Sequence, residues 1–367
     1  MKSTLFFVTR YKSTCNSFPL KIHKYGTKVG LLETDSMSKA KFGLVLPIDA
    51  GTSAWDDNLN FERMKEVTMV CEDLGFDSVW GPDHLMTGHS LETLEVWTVL
   101  AGLSQVTETM HLGPLVNCTS HRNPALLAKI VATLDIMSNG RVDLGIGAGW
   151  NGFEQLSYGL PWEQVPKERI RRLTETLQIL KGIWTQERFT FKGKYYSVNE
   201  AACLPHPVQK PHPKIMVGGK GEQLLLKAVA KYGDAYNIDE LTPEDYAHKL
   251  EVIKQHCAAA GTDYNRIEKT MEQYVLITNN PENEKRLVDW TNMHIATSPE
   301  RKRLGKQPVT VKLEDIKKEY IFGTVEQVSE RLGTYIDVGV QRFMIYFMDF
   351  PTLNTILPFA RDVMPSL

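Results

Sequence analysis

The segment from Met110 to Trp150, MHLGPLVNCTSHRNPALLAKIVATLDIMSNGRVDLGIGAGW, restricts the fold of this chain more than any other. Its first apolar run, Leu112 to Val116, is short enough for a buried parallel strand. The second, Arg141 to Ile146, is bounded by the Ser138-Asn139-Gly140 turn and by Gly147-Ala148-Gly149. Between them Asn123-Pro124 supplies a helix cap with proline at the first helical position. Leu126, Leu127, Ile130, Leu134 and Met137 then recur at helical spacing. The pattern predicts two parallel strands flanking one helix, a βαβ unit whose terminal glycines suit an anionic ligand.

The alternation of strand and helix continues through the chain. Strands are predicted at Phe42-Pro47, Ser78-Pro82, Leu112-Val116, Val142-Gly147, Lys214-Gly218, Ala235-Ile238, Met271-Ile277 and Phe343-Phe347. Helices fit at Phe61-Leu74, Leu91-Gln105, Pro124-Met137, Lys167-Trp184, Glu222-Tyr232, Pro243-Ala260 and Val325-Val338, with a closing helix near Thr355-Met364. Eight βα units in about 310 residues are what an α/β fold of the (β/α)8 TIM-barrel type with insertion segments requires. Two stretches exceed simple connections. Glu187 to Pro213 lies before the fifth strand, and Asn279 to Tyr320, with the charged ERKRLGK run, follows the seventh. Segments of this length are usually lids or binding loops, and the second is expected over the barrel mouth.

Composition excludes several classes of function. A formal net charge of -2 on 367 residues leaves no basic excess for nucleic acid. No apolar run approaches the ~20 residues of a membrane helix. Cys15, Cys71, Cys118, Cys203 and Cys257 are scattered, which fits a reducing, cytoplasmic interior. Cys203, His206 and His212 lack a fourth ligand and sit among prolines, so a loop is favoured over a metal site, and no metal is expected. No Walker loop, serine elbow or HExxH zinc motif occurs. Residues 1–40 differ from the rest: Met1 to Leu32 has no acidic residue but contains Lys2, Arg10, Lys12, Lys21, Lys24 and Lys28. A transit peptide is one reading; a disordered tail or an upstream start is favoured, with the barrel spanning 41–367 and the functional chain beginning near Met37.

RNPALLAKIVATLDIMSNGRVDLGIGAGW, together with SVWGPDHL, PHPKIMVGGKGEQLLLKAVAKYGDAYN and IFGTVEQVSERL, resembles the bacterial-luciferase-like monooxygenase superfamily from about Lys41 to Phe347. Within it the chain is most similar to the branch that uses the deazaflavin coenzyme F420. The resemblance implies hydride transfer between F420 and a small organic substrate, in a homodimer. An FMN-dependent monooxygenase using reduced flavin and oxygen is the alternative, and a non-catalytic flavin-binding barrel the second.

The residues themselves place a site at the mouth. Asp83 and His84 follow the second strand, where a polar pair has few structural reasons to exist. A histidine there can hold or release a substrate proton. The resemblance puts this pair at the cofactor ring, with His84 reaching the substrate. It also implies a non-prolyl cis peptide at Leu115-Val116 or the next bond, in a segment, Leu115, Val116, Asn117 and Cys118, that backs the ring. Asn117 is a candidate for the ring edge, and Cys118 reads as a small buried filler. Gly145 to Trp150 has a GxGxG spacing but lacks the downstream acidic residue of a dinucleotide fingerprint. Gly147, Ala148, Gly149 and Trp150 are therefore expected where backbone approaches a cofactor. Relatives carry a glutamate acid where this chain has Trp150, and Glu154 is its possible replacement. Gly218, Gly219, Lys220 and Gly221, between a strand and a helix, are expected to hold the cofactor phosphate through backbone N–H groups.

Overall fold

A ring of eight strand positions surrounds the indole of Trp80, which is wholly buried. The computed structural model describes residues 40–49, 53–56, 58–87, 91–239, 241–307 and 309–367. The ring is built from β1 (Lys41–Val45), β2 (Ser78–Gly81), β3 (His111–Pro114) with β4 (Asn117–Cys118), and β5 (Asp143–Gly147). The chain then makes an antiparallel hairpin, β6 (Phe189–Lys192) and β7 (Ser197–Ala201), within the first long stretch. It rejoins the ring with β8 (Lys214–Gly218), β9 (Ala235–Asn237) and β10 (Glu268–Ile277). The short β11 (Ile321–Gly323) pairs with β10, and β12 (Arg342–Phe347) lies between β10 and β1. Every ring pairing is parallel. Leu112 bridges Val142 in the same sense, and this bridge closes β3 onto the base of β5. The predicted (β/α)8 barrel is the observed fold.

The helices are α1 (Phe61–Asp73), α2 (Val96–Ser104), α3 (Pro124–Met137), α4 (Gly152–Ser157), α5 (Pro166–Thr185), α6 (Leu225–Tyr232) and α7 (Pro243–Ala260). The second long stretch contains α8 (Pro281–Thr297), α9 (Pro299–Arg303) and α10 (Leu313–Glu319), followed by α11 (Val325–Asp337) and α12 (Ile356–Pro358). Asn280 and Ser298 cap α8 and α9 with proline at the first helical turn, so this stretch is helical rather than a loop. The helix expected from Leu91 begins only at Val96, because the Glu95 carboxylate accepts the N–H groups of Trp97 and Thr98 as its cap. The third strand ends at Pro114, and the Leu115-Val116 peptide after it is cis, at the first of the two bonds where the resemblance implies a non-prolyl cis peptide. From Ala40 on, the described residues form one compact unit, and the expectation for residues 1–40 lies, but for Ala40, outside the described residues. Among the described residues, no helix is long and apolar enough to cross a membrane.

Glycines make the barrel interior possible. A Cβ on Gly43 would stand 2.7 Å from Trp80 Nε1, and one on Gly113 would stand 2.5 Å from Trp80 Cζ3. Only hydrogen on the flanking strands leaves room for the indole, which packs with Val45, Leu115, Met216, Ala235, Met344 and Tyr346.

Charge organises the floor. Arg342, which opens β12, is buried, with Nη1 2.8 Å from Asp143 Oδ2 and Nε 3.0 Å from Asp77 and 3.3 Å from Glu268. His111 meets Asp143 at 3.1 Å. Burial would raise the Asp143 carboxyl, but His111 and Arg342 hold it well below the usual range. These groups sit at the N-terminal ends of five ring strands, so one guanidinium ties the floor together and the mouth lies at the opposite end. Arg342→Met should lower the unfolding free energy by about 3–5 kcal/mol, because removing one partner strands buried carboxylates. Denaturant titration measures this; a change below about 1 kcal/mol, the worth of a surface pair, would show that the floor does not depend on Arg342.

Candidate active site

The mouth is formed by the segments that leave the C-terminal ends of the ring strands. Asp83 and His84 follow β2 as expected, but their side chains have different surroundings. The Asp83 carboxylate is buried, with Oδ2 accepting from Cys118 N at 2.9 Å and from Arg122 Nη1 at 2.7 Å, and Oδ1 accepting from Arg122 Nη2 at 3.1 Å. His121 Nδ1 stands 3.3 Å from the same carboxylate. Burial alone would raise the Asp83 carboxyl; His121 and Arg122 instead hold it down to about 2. Asp83 therefore joins the β2 end to the segment after β4, and its oxygens are already engaged.

His84 is half-buried, and its Nδ1 lies 3.0 Å from Glu154 Oε1. Glu154 is in α4, capped by the Asn151 side chain, and its second oxygen accepts from Leu85 N at 3.0 Å. A carboxylate bound to Nδ1 favours the tautomer with the proton on that nitrogen, leaving Nε2 as the proton-accepting atom. Burial pulls the His84 imidazole down, but the Glu154 hydrogen bond and charge, aided by Asp49 and Asp83, raise it above the usual histidine value. Trp150 is 61% exposed and stands edge-on to His84, ring centroids 5.6 Å apart. The second insertion reaches this rim: Glu300 in α9 accepts from Phe153 N at 2.9 Å, at the start of the helix that carries Glu154.

Beyond the rim, the expected cofactor segment divides by the facing of its side chains. Leu115 and Val116 turn into the barrel. Asn117 does not reach the mouth: it is fully buried, with Oδ1 accepting from Trp97 Nε1 at 3.1 Å and Arg122 Nη1 at 3.3 Å. Cys118 is indeed a buried filler, its Sγ 3.3 Å from Ser120 Oγ and accepting from Gln155 Nε2.

The glycine pattern has a packing explanation that differs from the expected cofactor approach. A Cβ on Gly145 would lie 2.2 Å from Pro114 O, on Gly147 2.8 Å from Val116 Cγ2, and on Gly218 3.2 Å from Val116 Cγ1. Gly149, at φ +78, would place one 2.6 Å from Cys118 Sγ. Ala148, between these glycines, packs half-buried against the core. In the Gly218-Gly221 turn, Gly219 donates its N–H to Asn237 O at 3.1 Å, so that donor is spent on the neighbouring strand end. Lys220 pairs with Asp239 at 3.3 Å, while Gly221 is open to a substituent, with its closest neighbour 3.6 Å away. Cys203 lies near Ala128 O and His212 at Pro213 O; among the described residues no group of His, Cys, Asp and Glu is placed to hold a metal.

His121, Arg122 and Glu95, which Arg122 also binds, were not singled out from the sequence. His121 and Arg122 stand directly before the Asn123-Pro124 cap, between a ring strand and its helix, and this position at the rim is the available signal.

A parallel barrel with a carboxylate-paired histidine at its mouth defines an enzyme-like (β/α)8 protein. Residues 40–342 match the luciferase-like monooxygenase family, and the chain belongs to that family. It is 26% identical to F420-dependent glucose-6-phosphate dehydrogenase of Microbacterium testaceum (strain StLB037), over 88% of this chain and 98% of that protein. It is also 26% identical to FMNH(2)-dependent dimethylsulfone monooxygenase of Pseudomonas putida, over 88% of this chain and 91% of that one. Among solved structures, an F420-dependent secondary alcohol dehydrogenase in complex with an F420-acetone adduct superposes with TM-score 0.72 at 21% identity, covering 89% of this chain and 97% of that one.

The packing around Val116 gives a direct test. Gly147→Ala should cost about 1–3 kcal/mol in denaturant unfolding, as expected for an added methyl in a filled site. Val116→Ala in the same chain should recover part of that loss, since touching residues couple. Equal losses with and without Val116 would place the constraint on Gly147 elsewhere.

Proposed function

We propose that the chain is an F420-dependent oxidoreductase that moves a hydride between the deazaflavin and a small alcohol or carbonyl compound. The observation that carries this is the His84-Glu154 pair at the mouth. Oxidising an alcohol requires an acceptor for the hydroxyl proton as the carbon loses hydride. A carboxylate-bound imidazole, raised above its ordinary value, is suited to that task. Kinship supports the same reading, since proteins described as F420-dependent recur among the relatives and structural neighbours.

The residues fit the cofactor at one face and less fully at the other. Gly147 and Gly218 leave Val116 lodged at the mouth as an apolar wall on which a flat ring can rest. The Gly218-Gly221 turn offers the phosphate fewer donors than its sequence implies, and Gly221 with the start of α6 is what remains. When bound, F420 supplies a two-electron hydride carrier. His84 takes the substrate proton at Nε2 in the oxidising direction and returns it in the reducing one. Glu154 orients His84 and compensates its charge, and Asp83 holds the segment beneath. Trp150 packs edge-on against His84 at the exposed rim. A cytoplasmic homodimer belongs to the same proposal; the described cysteines, Cys71, Cys118, Cys203 and Cys257, are all free.

The FMN reading is the second one because an FMNH(2)-dependent relative matches equally well in identity. Fluorescence-quenching titrations of the intact chain separate them. F420 should bind at least ~10-fold more tightly than FMN, a difference of about 1.4 kcal/mol. Equal or tighter FMN binding, with oxygen uptake on reduction, would assign the chain to the monooxygenases.

A further inference from the structure

His121 lies behind the proposed proton acceptor, and neither hydride transfer nor cofactor binding as described uses it. Its side chain is 1% exposed, and its backbone N–H is fixed to Cys118 O at 3.0 Å. Nδ1 stands 3.3 Å from Asp83 Oδ2, and Nε2 stands 3.8 Å from Glu154 Oε1. Neither ring nitrogen has a partner in hydrogen-bond geometry. A neutral imidazole here would bury two polar nitrogens without directed bonds, which is unfavourable. A cation between two carboxylates gains from both without needing linear bonds.

We propose that His121 is a buried imidazolium that acts as a positioning residue for the His84-Glu154 pair, drawing off part of the Glu154 charge and so limiting how firmly His84 holds a proton. This rests on the reading of His84 as proton acceptor. The charges form an alternating row. Arg122 sits on Asp83, His121 lies between Asp83 and Glu154, and His84 meets the same Glu154 oxygen, Oε1, that His121 faces. Cys118 of β4 also faces the ring, and Arg169 of α5 stands towards Cys118. Burial would depress the His121 imidazole, but Asp83 and Cys118 push it up to about 10.

The direction of the effect follows from the row. With His121 charged, Glu154 Oε1 is shared between two imidazoles, and a protonated His84 has a like charge at the same oxygen. Replacing His121 by a neutral side chain leaves Glu154 to His84 alone and removes that repulsion, so His84 becomes more basic. If His84 must be neutral to accept the substrate proton, the acid limb of the kcat/KM profile moves to higher pH.

Imidazole NMR titration of the full chain tests the proposal without substrate. In the native protein His121 should stay protonated from pH 6 to about pH 9, well above the ordinary histidine value of about 6.5. In His121→Gln, whose amide spans the same two carboxylates, the His84 midpoint should rise by about one unit, as for the loss of a nearby like charge. The acid limb with F420 and an oxidised alcohol should rise by the same amount. A His121 that titrates near the ordinary value in the native chain overturns the proposal, even if the variant does not fold. So does an unmoved His84 midpoint in a folded variant, which would leave His121 as packing alone. A midpoint that rises while the kinetic limb stays still overturns the role of His84 instead, and with it the positioning of His84 for the reaction.

Discussion

The buried carboxylate of Asp83 is the interaction on which the mouth depends. It accepts from Arg122 at two atoms and from the Cys118 backbone, and it faces His121, so one side chain joins the ends of two adjacent ring strands. Burying such a charge is unfavourable unless partners surround it, and here a guanidinium and an imidazole do so. Their cost is offset only in this arrangement, which fixes the loop geometry. His84 follows next in sequence and is delivered to Glu154 by that anchoring. Asp83 and His84 are adjacent but have different tasks: one holds the rim, and the other is left available to a ligand.

A second constraint is steric. Val116 lodges at the C-terminal ends of the strands because Gly147 and Gly218, on two neighbouring strands, present no Cβ towards it. Trp80 fills the barrel below on the same terms, between Gly43 and Gly113. Large side chains from one side of the ring are thus accommodated by glycines on the adjoining strands. Read as a sequence, DLGIGAGW suggests a ligand cradle; in three dimensions its glycines make room for the protein's own atoms.

The barrel was legible because its signals are local. Lys214–Gly218, Pro124–Met137 and Pro243–Ala260 fall where the apolar runs and the Asn-Pro and Thr-Pro caps put them. The cap-plus-proline pairs at Asn280-Pro281 and Ser298-Pro299 were equally local and would have converted the long seventh connection into helices. The site was legible only in part. Position at a strand end singled out Asp83 and His84, and Glu154 was named as a replacement for the acid at Trp150, but it is 70 residues from His84, and nothing in one sequence reports their contact. Asn117 is the converse case: it stands at the expected strand end, but its Oδ1 accepts from Trp97 and Arg122, and a strand end alone does not say which way its side chain faces.

The central claim is that His84 handles the substrate proton while the ring is held by other groups. Its most direct test is His84→Ala, with F420 affinity and turnover of an accepted alcohol measured on the same preparation. The account predicts affinity within a few-fold of the native chain and turnover lower by ~10²–10⁴, the range for losing a general acid or base. Unchanged turnover would contradict it, and loss of cofactor binding would make His84 a ring-binding residue instead.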